Sequence, residues 1–303
     1  MQICFVTCGA EALLTPDDGL LVNYLSSKNI KVSAAIWDDD QIDWLKYDAI
    51  ILRSMWDYHT QPDKFNLWLD RLESLNCTVY NPVSVVKENL NKKYLADFYK
   101  AGILLPPLEF CAHKTTNSLT AILQANSWDK AVVKPAISGG SYNTWITNLP
   151  VSQQDELHFA EMLLSGDVIV QKFVNEIITG GELSLIFFNK KFSHAILKRA
   201  KQGDFRVQLK FGGTAEAIQP DEEVLNAAMA ILNLVDEPLL YARVDGVLLN
   251  NEFYLMELEL IEPALSIASN TMACENFYRA LSELLPLNDE FKISKNQVDS
   301  HLR

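Results

Sequence analysis

An apolar run at 131–133 ends in Lys134 and opens into Pro135-Ala136-Ile137-Ser138-Gly139-Gly140-Ser141-Tyr142. A lysine at a strand end supplies a point charge for phosphate oxygens, and adjacent glycines with small hydroxyl residues let backbone N–H groups approach an anion. The segment is not a Walker A loop, and no GxGxxG occurs; taken alone it suits a hairpin turn as well as a phosphate lid. Further on, Asp245, Glu257, Glu259 and Glu262 form an acidic set among apolar neighbours. On a strand Glu257 and Glu259 share a face, because side chains alternate with period two. Two adjacent carboxylates repel unless a cation joins them, and an oxygen-only set suits Mg²⁺, which draws its other ligands from phosphate and water. The competing reading is an exposed acidic stripe. Gly203-Asp204-Phe205-Arg206, followed by Gly212-Gly213, reads on its own as a surface turn with a solvated ion pair.

These residues need elements to hold them. The first eighty residues alternate strand-like runs (3–7, 32–37, 49–52, 78–80) with helical patterns, one opening at Thr15-Pro16-Asp17-Asp18 with a cap, a first-turn proline and dipole-matching acids. A second amphipathic helix is expected at 64–75. This describes a small open α/β domain with its boundary near 82–86. A long helix is predicted over 83–101, stopped by Gly102 and Pro106-Pro107. Strands are then predicted at 131–134, 168–173, through 196, at 206–210, 243–249 and 252–260, with a helix at 222–234. That succession suits antiparallel sheet with helices packed on it, so the fold class is α/β (α+β).

The bulk numbers narrow the partners. The chain has 303 residues and a formal net charge of -13, so its field repels nucleic acid and anionic lipid, and no apolar run is long enough to span a bilayer. Five cysteines without a CxxC pair read as free thiols in a reducing, cytoplasmic compartment, and five histidines show no zinc spacing.

Taken in order, Lys134, the Gly/Ser loop, Gln171-Lys172-Phe173-Val174, Gly181-Glu182, the GDFR and GG segment, Asp245 and Glu257-Leu258-Glu259 resemble the ATP-grasp superfamily. That superfamily includes glutathione synthetases, ribosomal-protein glutamate ligases and D-alanine:D-alanine ligases. Leu52-Arg53-Ser54-Met55-Trp56-Asp57-Tyr58 and the stretch MELELIEP at 256–263 are most similar to the subgroup containing the O-ureido-serine cyclo-ligase of cycloserine biosynthesis. The resemblance implies an N-terminal domain at 1–85, a small ATP-grasp lobe with a Gly/Ser lid at 86–174, and a large lobe with the metal site and a C-terminal helix at 175–303. It implies ATP, Mg²⁺ (two ions) and a possible homodimer. Lys92 and Lys134 would contact phosphates, with Lys93 the alternative to Lys92. Ser138, Gly139, Gly140 and Ser141 would close as a lid; Gln171, Lys172, Phe173 and Val174 would form the adenine hinge; Glu182 would bind ribose hydroxyls. Arg206 would hold the transferred phosphoryl group, and Asp245, Glu257 and Glu259 the metal. Many relatives carry Glu-x-Asn where this chain has Glu-Leu-Glu.

The implied reaction is attack of a carboxylate on the γ-phosphate, then attack of an amine on the acyl phosphate. No side-chain nucleophile is needed, in keeping with the absence of a GxSxG motif. Arg53, directly after an apolar strand, is placed to fork onto a substrate carboxylate, with Trp56, Asp57 and Tyr58 offering an aromatic wall and an ammonium partner. A loop with a packed Trp is the other reading. The rival functions are a small-molecule kinase on the same scaffold and a regulatory module that binds ATP without turnover.

Overall fold

A computed structural model of the chain describes residues 1–285; residues 286–303, the end of the expected large lobe, lie outside the described residues. The N-terminal strands are β1 (Gln2–Thr7), β2 (Lys31–Ile36), β3 (Ala49–Ser54) and β4 (Val79–Tyr80), parallel and ordered β2-β1-β3-β4. Helices α1 (Pro16–Ser27) and α2 (Pro62–Ser74) provide the crossovers. Helix α1 starts where the sequence says: the Thr15 side chain accepts from the Asp18 amide at 3.0 Å, with Pro16 in the first turn. The interior strand β3 is buried along its whole length, as both faces of a parallel sheet require.

The predicted 83–101 helix is two helices, α3 (Val83–Leu90) and α4 (Tyr94–Lys100), separated at Asn91-Lys92-Lys93. Asn91 turns extended (φ -105°, ψ 123°), which frees the Lys92 amide to donate to the Ala136 carbonyl at 3.0 Å. The break brings Lys92 to the end of the next sheet.

That sheet holds β5 (Leu108–Cys111), β6 (Lys130–Pro135), β7 (Trp145–Asn148) and β8 (Val168–Lys172), all antiparallel, in the order β5-β8-β6-β7. Helices α5 (Leu119–Ala125) and α6 (Gln153–Ser165) cover one face, burying Leu119, Leu123, Phe159 and Leu163 against Val133 and Val170. After the short helix α7 (Glu176–Thr179) comes the third sheet: β9 (Glu182–Phe188), β10 (Lys191–Arg199), β11 (Thr214–Ile218), β12 (Tyr241–Leu249) and β13 (Glu252–Glu259). It is antiparallel, in the order β11-β10-β9-β12-β13. Helices α8 (Glu222–Leu232) and α9 (Ala273–Leu284) pack on it.

Two expectations change here. Residues 206–210 are not a strand: 200–213 is an irregular loop with a short 3₁₀ turn at Leu209–Phe211, tucked in by Val207 against Phe173 and Val247. Residues 86–105, read from sequence as small lobe, bury Leu95, Phe98 and Leu105, beside Val85, in the core of the large sheet. They also seal that sheet's edge. Among the described residues strand β13 has no strand neighbour on one side, and its free backbone groups there are met by Asn89, which exchanges hydrogen bonds with Leu258 and Leu260, and by the Tyr94 hydroxyl and the Leu104 carbonyl.

Candidate active site

The pleat of the third sheet collects charge on one face. Glu182 and Ser184 on β9, Lys198 on β10, Arg243 and Asp245 on β12, and Glu257 and Glu259 on β13 occur at period-two spacing, and the register sets Lys198 opposite Glu182, Asp245 opposite Ser184 and Glu257, and Arg243 opposite Glu259. Arg243 forks onto Asp245 (2.8–3.1 Å) and also donates to Glu259. Lys198 lies 2.6 Å from Glu182 and 3.7 Å from Asp245, and Ser184 donates to Asp245. The expected set Asp245, Glu257 and Glu259 is thus divided among protein cations; among the described residues no three Asp, Glu, His or Cys side chains are gathered to hold an ion alone. Mg²⁺ does not need such a cage, since it is held by one or two carboxylates plus phosphate oxygens. Glu259 keeps a quarter of its side chain exposed, yet burial within the cleft, partly offset by Arg243 and reinforced by Glu257 and Asp245, lifts its carboxyl to about 7.

Across the cleft two ammonium groups converge. Lys92, 5% exposed, donates to the Ser138 carbonyl at 2.7 Å and pairs with Glu257 at 3.1 Å. Lys134, on β6, donates to Gln171 Oε1 at 3.1 Å. Burial, with Lys92 adding repulsion against the pull of Glu257, brings Lys134 down to about 8. The Gln171 Nε2 beside it is buried without a partner. Two cations, an idle amide donor and facing carboxylates are groups that could hold a polyanion carrying a divalent ion. Lys93 points elsewhere, pairing with Asp167 at 2.6 Å.

The Gly/Ser loop lies over these groups. Ser138 is buried, and its hydroxyl donates to the Pro135 carbonyl at 3.1 Å. Gly140 has φ +54°, and a Cβ there would stand 2.8 Å from the Lys210 ammonium. A Cβ on Gly139 would press on His59 at 3.3 Å. The loop therefore sits between the N-terminal domain and the 200–213 loop. Ser141 also has positive φ.

At the hinge, Phe173 and Val174 are buried in an apolar cluster with Val132, Val207, Val247 and Met256, between the second and third sheets. A cavity of about 730 Å³ opens on the outer side of the hinge, touching Lys172, Phe173, Val174, Leu105 and Tyr254 but none of the charged residues above. The charged cleft, where the chemistry-bearing groups converge, is the better candidate site.

Arg206 does not join that cleft. It forks onto Asp204 (2.8 and 3.1 Å) and stacks 3.8 Å over Phe211, and it holds the Asp204 carboxyl well below the usual range. The N-terminal residues also differ from expectation. Arg53 lies inside β3, 2% exposed, donating Nε to Asp18 at 2.8 Å and Nη1 to the Pro263 carbonyl at 3.2 Å. Asp57 accepts from Trp37 Nε1 at 2.8 Å, and Trp56 donates to the Glu262 carbonyl at 3.1 Å. Tyr58 is buried, and its hydroxyl has no hydrogen-bond partner among the described residues.

Sequence reasoning missed Arg243, Lys198 and His59 and gave Glu262 no task. Arg243 had a signal, since it stands two residues before Asp245 and so shares its face. Lys198 had none without the register.

Residues 3–81 match the family described as D-cycloserine synthetase DcsG, N-terminal domain, and residues 146–275 match the RimK-like ATP-grasp domain. The chain is 28% identical over 298 residues to the cycloserine biosynthesis protein DcsG of Streptomyces lavendulae, covering 91% of this chain and 99% of that protein. The crystal structure of D-cycloserine synthetase DcsG superposes with a TM-score of 0.85 at 26% identity, over 94% of this chain and all of that one. D-alanine–D-alanine ligase from Bacillus anthracis complexed with ATP shares the fold, with a TM-score of 0.67 at 16% identity over 98% of this chain and 99% of the other.

Proposed function

We propose that this chain, which belongs to the ATP-grasp superfamily and is an ATP-dependent ligase, activates the carboxylate of a small amino-acid-like substrate as an acyl phosphate and transfers the acyl group to an amine. The observation that carries the reading is the convergence of Lys92 and Lys134 beside the unpartnered Gln171 Nε2, facing Glu257 across the cleft.

ATP-grasp ligases use ATP and Mg²⁺, and the residues present fit both. Lys92 and Lys134 would bind the α- and β-phosphates, and Ser138, Gly139, Gly140 and Ser141 would close over them and exclude water. Gln171, Lys172, Phe173 and Val174 would contact the adenine. Glu182, steadied by Lys198, would accept from the ribose hydroxyls. Asp245, Glu257 and Glu259 would hold two magnesium ions, which when bound neutralise phosphate charge. Arg243 orients Asp245 and Glu259, and Arg206 would reach the transferred group once its loop moves.

A substrate carboxylate oxygen attacks the γ-phosphorus, the bond to the β-phosphate oxygen breaks, and ADP leaves. An amine nitrogen then attacks the acyl carbon, phosphate departs, and the nitrogen loses a proton. Positioning and charge neutralisation supply the rate. Similarity to a cycloserine biosynthesis protein over nearly the full length of both chains favours a nitrogen within the same molecule, giving a ring.

Phosphate release tests this. Among amino acids, dipeptides and amino acids bearing a second nitrogen, ADP and phosphate should form only when both carboxylate and amine are supplied. ATP consumption that yields a stable phosphorylated compound would instead establish a kinase and end the ligase reading.

A further inference from the structure

Glu262 follows β13 by three residues and is 7% exposed, yet its carboxylate makes no hydrogen bond or ion pair with any described residue. The other acids of the cleft differ: Asp245 and Glu259 have Arg243, Glu257 has Lys92, and Glu182 has Lys198. The Glu262 oxygens are not sealed off, so a cation can reach them, and a carboxylate on so buried a residue gains by keeping its proton or by meeting a cation.

The backbone around Glu262 is fixed from the N-terminal domain. Trp56 Nε1 holds the Glu262 carbonyl, Arg53 holds the next one, and Ile261 is buried in the N-terminal core. Tyr58, 5% exposed, packs in the same N-terminal core as Ile261, the residue before Glu262, and its hydroxyl has no hydrogen-bond partner among the described residues; burial first, then the charges of Glu262, Glu257 and Glu259, keep its proton on. Two residues more than nine-tenths buried, one a carboxylate and one a phenol, both without a hydrogen-bond partner among the described residues, therefore lie on the same seam where the N-terminal core meets the end of the acid-bearing strand. Asp57, the acid expected to take this part, is occupied by Trp37.

We propose that Glu262, with the Tyr58 hydroxyl, is the recognition site for a protonated amine on the carboxylate substrate. The inference rests on the ligase reading and narrows its substrate class to zwitterionic amino acids. An amine held as ammonium on a buried carboxylate has no free electron pair, so it is not the nucleophile. The nitrogen that attacks the acyl phosphate is a second one.

Hydroxylamine trapping reads carboxylate activation directly. With ATP and Mg²⁺, free amino acids such as D-serine and D-alanine should give hydroxamate at least about 100-fold more efficiently than their N-acetyl forms or propionate, and Glu262→Gln should erase most of that preference by raising KM. A preference unchanged in the variant overturns the proposal. Two further measurements judge Glu262 even if no carboxylate is trapped, a result that would count against the ligase reading itself. ADP affinity titrated against Mg²⁺ should be the same in wild type and Glu262→Gln; a several-fold shift of the Mg²⁺ midpoint makes Glu262 a metal ligand and overturns the proposal. At pH 9 the unliganded variant should melt about 2–4 °C above wild type, because an unpaired charge has been removed. A lower melting temperature marks a structural carboxylate and overturns it as well.

Discussion

The two walls of the cleft treat charge differently. On the wall proposed for phosphate the ion pairs are shared: Lys92 and Lys134 face the cleft, and Arg243 and Lys198 each serve two acids, so a triphosphate and cation bound there would take over partners already present. On the wall formed by the N-terminal domain the pairs are fixed: the Arg53 and Asp18 side chains are 3% and 2% exposed and locked inside the packing. Glu262 is the exception there, a carboxyl without a partner among the described residues. The contrast teaches that charge density alone does not mark a binding surface; what marks it is whether the partner can be replaced.

The largest effect that would sharpen this contrast belongs to Lys134→Met. It should cut kcat/KM by about 10³–10⁵-fold while leaving urea stability level or slightly raised, since the lysine is held against burial rather than paired with a charge. A large loss of stability would erase the distinction between the walls. Arg53→Met should show the opposite profile. Stranding Asp18 should cost about 3–5 kcal/mol in the same urea titration, and adding Asp18→Asn should recover much of it. If Arg53→Met instead raised substrate KM in a fully stable protein, Arg53 would belong to the site after all.

The smallest effect is in pH dependence. Burial, then Glu259 and Glu257, raise Glu262 to about 8 against the pull of Lys92 and Arg243. The folded chain thus keeps a proton that the unfolded chain sheds from pH 4.5 upward, and stability falls as pH rises toward 8; Glu259, lifted to about 7, acts in the same sense. Lys134 works the other way, because the folded chain has released near pH 8 a proton the unfolded chain retains to 10.5, so stability recovers above 8. Thermal melts of the unliganded protein should show a shallow minimum near pH 8. Glu262→Gln should flatten its acid limb and Lys134→Met its alkaline limb; a minimum unmoved by either variant would deny both groups their environments.

How much of this was legible follows from range. Period-two and period-3.6 patterns with local caps gave β1, α1, α2, β12 and β13 nearly to the residue, because each is determined by its neighbours in sequence. Lys134 and the Glu-Leu-Glu strand were legible for the same reason. The break between α3 and α4 was not, since Asn91 and Lys93 carry ordinary helical propensities and the bond from the Lys92 amide to Ala136 spans forty residues of chain in round terms. Arg206 was misread as part of a strand because Val207 is buried by the hinge rather than by a sheet. Lys198 required the register, and Glu262 required knowing that every other acid already had a cation.

Asn81 carries a last consequence. Just past β4, fully buried, its amide accepts from Leu240 N at 2.7 Å and donates to the carbonyls of Tyr241 and Leu260, while the Tyr241 hydroxyl lies 2.7 Å from the Leu52 carbonyl. The N-terminal domain is therefore not a portable module. A chimera that grafts a relative's first eighty residues onto this chain would inherit a seam whose matching half lies at 240–261, so exchange of specificity between such enzymes has to move both stretches together.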